Sequence, residues 1–174
     1  MYSANNPVIF TDKTGKATKT EWLISIKHPI AAIKVKNNSE IASIETQRRF
    51  PKGGHNDKAD AFRHAYWNAL NTRDVGKIIA KKFADAHEEF DDNPNAEKEM
   101  DLNNNEKGRE ISEANPDLND DEMADEVMEA SNNNELQNTP NSNPKKTDLN
   151  YYKTIDNNYD GKEEKNKVKT GIIK

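Results

Sequence analysis

The stretch HNDKADAFRHAYWNAL, residues 55–70, sets the terms for any fold this chain can adopt. On a helix, residues three, four and seven apart share a face. Asp60, Arg63 or His64, and Trp67 therefore stack on one side with Asn68 beside them, while Phe62, Tyr66 and Leu70 address another. The chain has 5 Phe, 2 Trp and 5 Tyr, and Trp22, Phe50, Phe62, Tyr66, Trp67, Phe83 and Phe90 all lie between residues 21 and 90. The core has to be built mainly there. Polar groups on that helix must then be partnered or must form a site, because a buried polar side chain is tolerated only when it is hydrogen-bonded or ligated.

The flanking sequence reads as helices throughout. Trp22, Leu23 and Ile26, then Ile30, Ile33 and Val35, recur at three to four from about Thr20, and the proline in HPI (28–30) ends one short helix and starts another. A further helical run from about Ser39 to Arg49 carries Ile41 and Ile44, and PKGGHND (51–57) is a loop. Asn56 or Asp57 is the expected N-cap of the central helix, with Asp60 in its first turn. The next helix is expected from about Asp74 to Glu89 with Val75, Ile78, Ile79, Phe83 and Ala86 on its apolar side, followed by helices from about Glu97 to Ala114 and over 120–130. With no period-two strand, the expected class is all-α: a compact bundle of five to six helices holding a polar His/Asp/Arg cluster.

Three parts follow along the chain: an N-terminal extension over 1–19, a helical domain over 20–131, and a tail over 132–174. The tail is rich in Asn, Lys and Pro and is expected to be largely disordered, with LNYYKTI (149–155) its one docking segment. Charge is distributed as unevenly as the aromatics. The net charge of -5 divides into a basic stretch to residue 84, an acidic one from 85 to 131 and a nearly balanced tail, which suggests internal complementarity more than a nucleic-acid surface. Without cysteine the chain has no disulfide framework, thiolate metal site or cysteine nucleophile. No apolar run approaches the roughly 20 residues needed to span a bilayer, and MYSANNPVIF lacks the pattern of an export signal, so a soluble protein is expected.

Two more polar clusters accompany the central helix. DAHEE (85–89) offers Asp85, His87 and Glu88; MDLNNNEKGR (100–109) puts Asp101 and Asn105 on one face, with Asn104 adjacent and Arg109 a turn later. If they converge, His64 is a general base or a metal ligand, Asp60 orients its ring, and Arg63 or Arg109 stabilises an anionic substrate or transition state. His87 and Asp101 complete the catalytic candidates, and His55, Asn68, Asp85, Glu88, Asn104 and Asn105 are candidate binding residues. A divalent cation, zinc or calcium, would be held by His64 and His87 with Asp85 or Asp101. The paired arginines suit a phosphoester or lipid-type substrate for a hydrolase. Alternatively the bundle is a non-catalytic binding module for a partner protein, or a scaffold with a buried polar network.

NDKADAFRHAYWN, DAHE and MDLNNNEKGR together resemble the motifs of a bacterial family of unknown function, DUF6973, over about residues 20–115. The resemblance implies kinship with domains found in secreted, envelope and toxin-like proteins. A weaker likeness links RHAYWN to the helix of bacterial phospholipase A2, but Ala65 stands where that family has its calcium-binding aspartate, and its cysteines are absent.

Overall fold

A computed structural model describes residues 18–89 and 95–140. Every regular element among them is helical: α1 (Lys19–Lys27), α2 (Pro29–Arg49), α3 (Lys58–Val75), α4 (Lys77–His87), α5 (Asn95–Ala114) and α6 (Asp120–Asn132). The all-α expectation therefore holds, with six helices in place of five to six. None of them is long and apolar enough to cross a membrane.

Local chemistry fixes the boundaries. Pro29 sits in the first turn of α2, where its missing N–H costs nothing. Beyond it the helix runs unbroken to Arg49, so the run expected from Ser39 is the second half of one helix. Asp57, not Asn56, caps α3: its carboxylate accepts from the N–H of Ala59 at 2.8 Å and of Asp60 at 3.1 Å. Asn56 instead turns the chain into the cap with φ 57. α3 ends at Gly76, whose φ of 83 suits glycine. The break that the sequence pattern put near Asp74 thus lies two residues later, because periodicity cannot register a φ reversal. Asn119 and Glu122 form a reciprocal capping box at the start of α6.

α3 is the central element, packed by α2, α4, α5 and α6. Phe62, Tyr66, Leu70, Phe83, Met123 and Val127 form the middle of the core. Its most extensive contact is with α5, and Gly108 permits it: a Cβ there would lie 1.9 Å from the Ala65 carbonyl oxygen. The same contact bears on the phospholipase likeness, since Ala65, which stands where that family has its aspartate, is fully buried and its backbone lies against Gly108 of α5. Trp67 is core as well, its indole N–H donating to the Val35 carbonyl at 3.1 Å.

The charge asymmetry is met by ion pairs between helices on the surface of the bundle. Arg49 pairs with Asp125 at 2.7 Å, Arg73 with Asp120 at 2.7 Å and Lys77 with Glu113 at 2.6 Å, each joining the basic first half to the acidic second half. Packing continues past residue 131, with Leu136 and Gln137 both buried. Asn104 clamps that segment, accepting from the Gln137 N–H at 2.8 Å and donating to the Gln137 carbonyl at 2.9 Å. LNYYKTI and the rest of the tail from residue 141 lie outside the described residues, as do residues 1–17.

Candidate functional site

The polar face of α3 points into the bundle, and α4 and α5 bring their clusters to it. His64, 6% exposed, is the centre. Its Nε2 lies 3.8 Å from Asp60 Oδ1 and 3.6 Å from Asp101 Oδ1, and its Nδ1 lies 3.6 Å from Glu88 Oε1. Arg63 Nη2 hydrogen-bonds Asp60 and also lies 3.1 Å from His64 Nε2. Because a guanidinium only donates, that contact leaves the lone pair on Nε2 and the proton on Nδ1, toward Glu88.

Too many acids meet here for the cations present. Burial, reinforced by the charge of Arg63, pushes the His64 pKa far below the usual imidazole range, so the ring is neutral at physiological pH. Burial pushes Asp101 up to about 7, with Asp60 adding to the shift, and pushes Glu88 up to about 7, with Asp101 adding to it. Asp60 goes the other way. Against the burial that raises it, hydrogen bonds from Arg63 and from the Asn56 N–H, the latter at 2.9 Å, hold its pKa below the carboxylate norm. Two atoms in the cluster, His64 Nδ1 and Asp101 Oδ1, have no hydrogen-bond partner although both are buried.

Behind His64 the polar chain continues as amides. Asn105 Nδ2 donates to Glu88 Oε1 at 3.4 Å, Asn68 Nδ2 donates to Asn105 Oδ1 at 2.6 Å, and Arg109 Nη1 donates to Asn68 Oδ1 at 3.0 Å. Arg109 is 2% exposed and its pKa is lowered by burial. It stands at the far end of this chain, two amides from Glu88, and anchors the network where the sequence suggested a group for an anionic substrate. Asn104, expected to bind, instead serves the Gln137 clamp.

On the solvent side, a cleft of about 200 Å³ is lined by Ser39, Ala42 and Ser43 of α2, Arg63, His64 and Trp67 of α3, and His87 of α4. Arg63, with its side chain 40% exposed, links this cleft to the buried acids. His87 packs its ring against Trp67 with centroids 5.5 Å apart, and burial lowers its pKa.

Metal-ligating groups gather differently from the sequence expectation. Among the described residues, Asp60, His64 and Asp101 form the group of three whose ligand atoms all lie within 4.8 Å of one another. His87 stands on the cleft wall and Asp85 pairs with Lys81 at 2.6 Å, so neither joins them. His55 is exposed in the loop before α3, where its charge still lowers the Asp101 pKa. Sequence reasoning missed a second buried amide contact, from Asn38 Nδ2 to Asn71 Oδ1 at 3.1 Å and to Asp74 Oδ2 at 3.0 Å. The four-residue spacing of Asn38 and Ala42 toward α3 was its only signal.

No curated protein and no solved structure matches the chain. The pattern of one family, the domain of unknown function DUF6973, matches residues 22–135 and so runs from within α1 through α6 to the approach to the Gln137 clamp. The chain belongs to the DUF6973 family.

Proposed function

We propose that this domain is a hydrolase acting on a phosphoester or lipid-type substrate, with its reaction centre at Asp60, His64 and Asp101. One observation carries the reading: a neutral, buried imidazole presents its Nε2 lone pair to two carboxylates and a partly exposed guanidinium beside a cleft. Hydrolysis needs a water made nucleophilic and a counter-charge for the anion that develops. The imidazole and carboxylates are acceptors for the first task. Arg63 supplies the second, since its exposed part can turn from Asp60 toward a phosphate or ester oxygen in the cleft. At about 200 Å³ the cleft suits a headgroup or a single phosphate, with the rest of the substrate outside. A toxin-like effector role belongs to the same proposal and derives from the family resemblance alone.

The test is hydrolysis by the full chain of a panel of phosphodiesters, phosphomonoesters and phospholipids, alongside His64→Ala and Arg63→Ala. Activity on one class, lost in His64→Ala and reduced in Arg63→Ala while both keep their helical circular dichroism, is expected. For the effector role, induced expression in bacteria should arrest growth with the wild type and not with His64→Ala. A second reading, a non-catalytic scaffold, draws on the hydrogen-bonded chain from Arg109 to Glu88. It prevails if no substrate turns over and His64→Ala melts far below the wild type.

A further inference from the structure

We propose that Asp60 Oδ1, His64 Nε2 and Asp101 Oδ1 form a binding site for one divalent cation, of the zinc type. These three atoms lie mutually within 4.8 Å, with His64 Nε2 at 3.8 Å from Asp60 Oδ1 and 3.6 Å from Asp101 Oδ1. A cation bound at about 2.0–2.2 Å from each ligand holds neighbouring ligand atoms roughly 3–3.5 Å apart. The two separations from Nε2 are close to that spacing, and side-chain rotation of the two carboxylates would bring the third ligand pair, which lies within 4.8 Å, to it. All three residues are buried, unlike the exposed acidic groups that cluster on many surfaces without a ligand.

A second observation points to a ligand independently of the clustering. Asp101 is 6% exposed and its Oδ1 has no hydrogen-bond donor, yet that atom faces the His64 Nε2 lone pair. His64 Nε2 is met only by the Arg63 guanidinium and Asp101 Oδ1 by no donor at all, so a cation between the two would satisfy the buried carboxylate oxygen. Charge agrees. The carboxyl groups of Asp60, Asp101 and Glu88 surround a neutral imidazole, with Arg63 the cation bonded among them, so added positive charge is favoured there.

The surroundings are those of a site that holds its ligands in place. The second oxygen of Asp60 accepts from the Asn56 N–H at 2.9 Å. His64 turns Nδ1 toward Glu88, the arrangement by which a carboxylate fixes the tautomer of a metal-binding histidine. Imidazole with two carboxylates suits zinc; calcium prefers six to eight oxygens. Three protein ligands leave a coordination position open for water, and Arg63 would yield its place at Nε2 to the cation.

The experiment is zinc titration of the metal-stripped full chain by calorimetry, with thermal melting and the visible spectrum of the cobalt-substituted protein as second readouts. The expected result is one zinc per chain, a raised melting temperature, and cobalt bands of an imidazole and carboxylate site. Asp101→Asn, nearly isosteric, should weaken binding at least 10-fold while circular dichroism stays native, and Asp85→Asn should bind as the wild type does. His64→Ala should lose the cobalt bands. No stoichiometric zinc in the wild type, or wild-type affinity in Asp101→Asn, overturns the proposal. These readouts are independent of turnover, so the cation site can stand where the hydrolase reading fails, and the reverse.

Discussion

The two ends of the polar seam through this bundle are built from similar residues and behave differently. At the Arg109 end, a guanidinium and two asparagine amides are fully buried and hand hydrogen bonds along in one direction. At the His64 end acids outnumber cations, and although a buried atom lacks a partner at each end, Arg109 Nε at the first and His64 Nδ1 and Asp101 Oδ1 at the second, the unpartnered acid lies only here. A chain of hydrogen-bonded amides specifies a fold; a surplus of buried acids holds free energy available to a ligand. The difference separates residues that build the domain from those proposed to give it chemistry, although the sequence mixes them within single motifs.

The largest effect expected is at the hinge of that comparison. Gly108→Ala drives a Cβ into the Ala65 backbone at the α3 and α5 crossing, and should cost about 3 kcal/mol or more, read as a collapse of the melting transition. A change below about 1 kcal/mol would mean that the two helices separate easily, and the seam would then not depend on their contact. Next comes Asn68→Ala, which strands both Arg109 and Asn105 and should cost about 2–3 kcal/mol. Denaturant unfolding measures it, and a neutral result would remove the structural half of the comparison.

Asp101→Asn should behave in the opposite way. Replacing a buried carboxylate whose Oδ1 lacks a donor with a neutral amide should raise stability by up to about 1 kcal/mol, while the proposed hydrolysis should fall roughly 100-fold or more. Destabilisation of 2 kcal/mol or more with unchanged activity would place Asp101 among the builders. The smallest effect calibrates the comparison against the surface. Glu45 is hydrogen-bonded by Arg48, which with Arg49 holds its pKa down to about 2 against the burial that raises it. A lowered acid contributes stability that is full above its unfolded value near 4.5 and is lost as pH falls toward 2. The acid limb of the melting curve in Glu45→Gln should therefore be slightly flatter than in the wild type. An identical limb would show that this surface pair contributes nothing measurable.

Much of this was legible from residue spacing. The class and the centrality of His64 follow from helical periodicity and from one helix being both aromatic and polar, whereas spacing alone leaves open whether RHAYWN, DAHE and MDLNNN converge. Direction was not legible. Asp101 and Arg109 are eight apart on one helix with neighbouring faces, and only the packing of α5 against α3 sends the first to the imidazole and the second to Asn68. Asn104 was read as a ligand-binding amide because nothing in MDLNNN foretells that a segment beyond α6 returns to it. For the same reason NNNELQN looked like linker: the burial of Leu136 and Gln137 depends on that distant clamp, not on local pattern.

The amide chain behind His64 also makes the domain a potential reporter of its own state. Every donor in it points the same way, from Arg109 through Asn68 and Asn105 to Glu88, so electron density shifted at one end is transmitted by polarisation to the other. Occupancy at the imidazole should then be visible as a frequency change in the guanidinium nitrogen resonances of Arg109, a group shielded from solvent and from direct contact with anything that enters the cleft. A nucleus at the rear of the bundle would thus register events at the front.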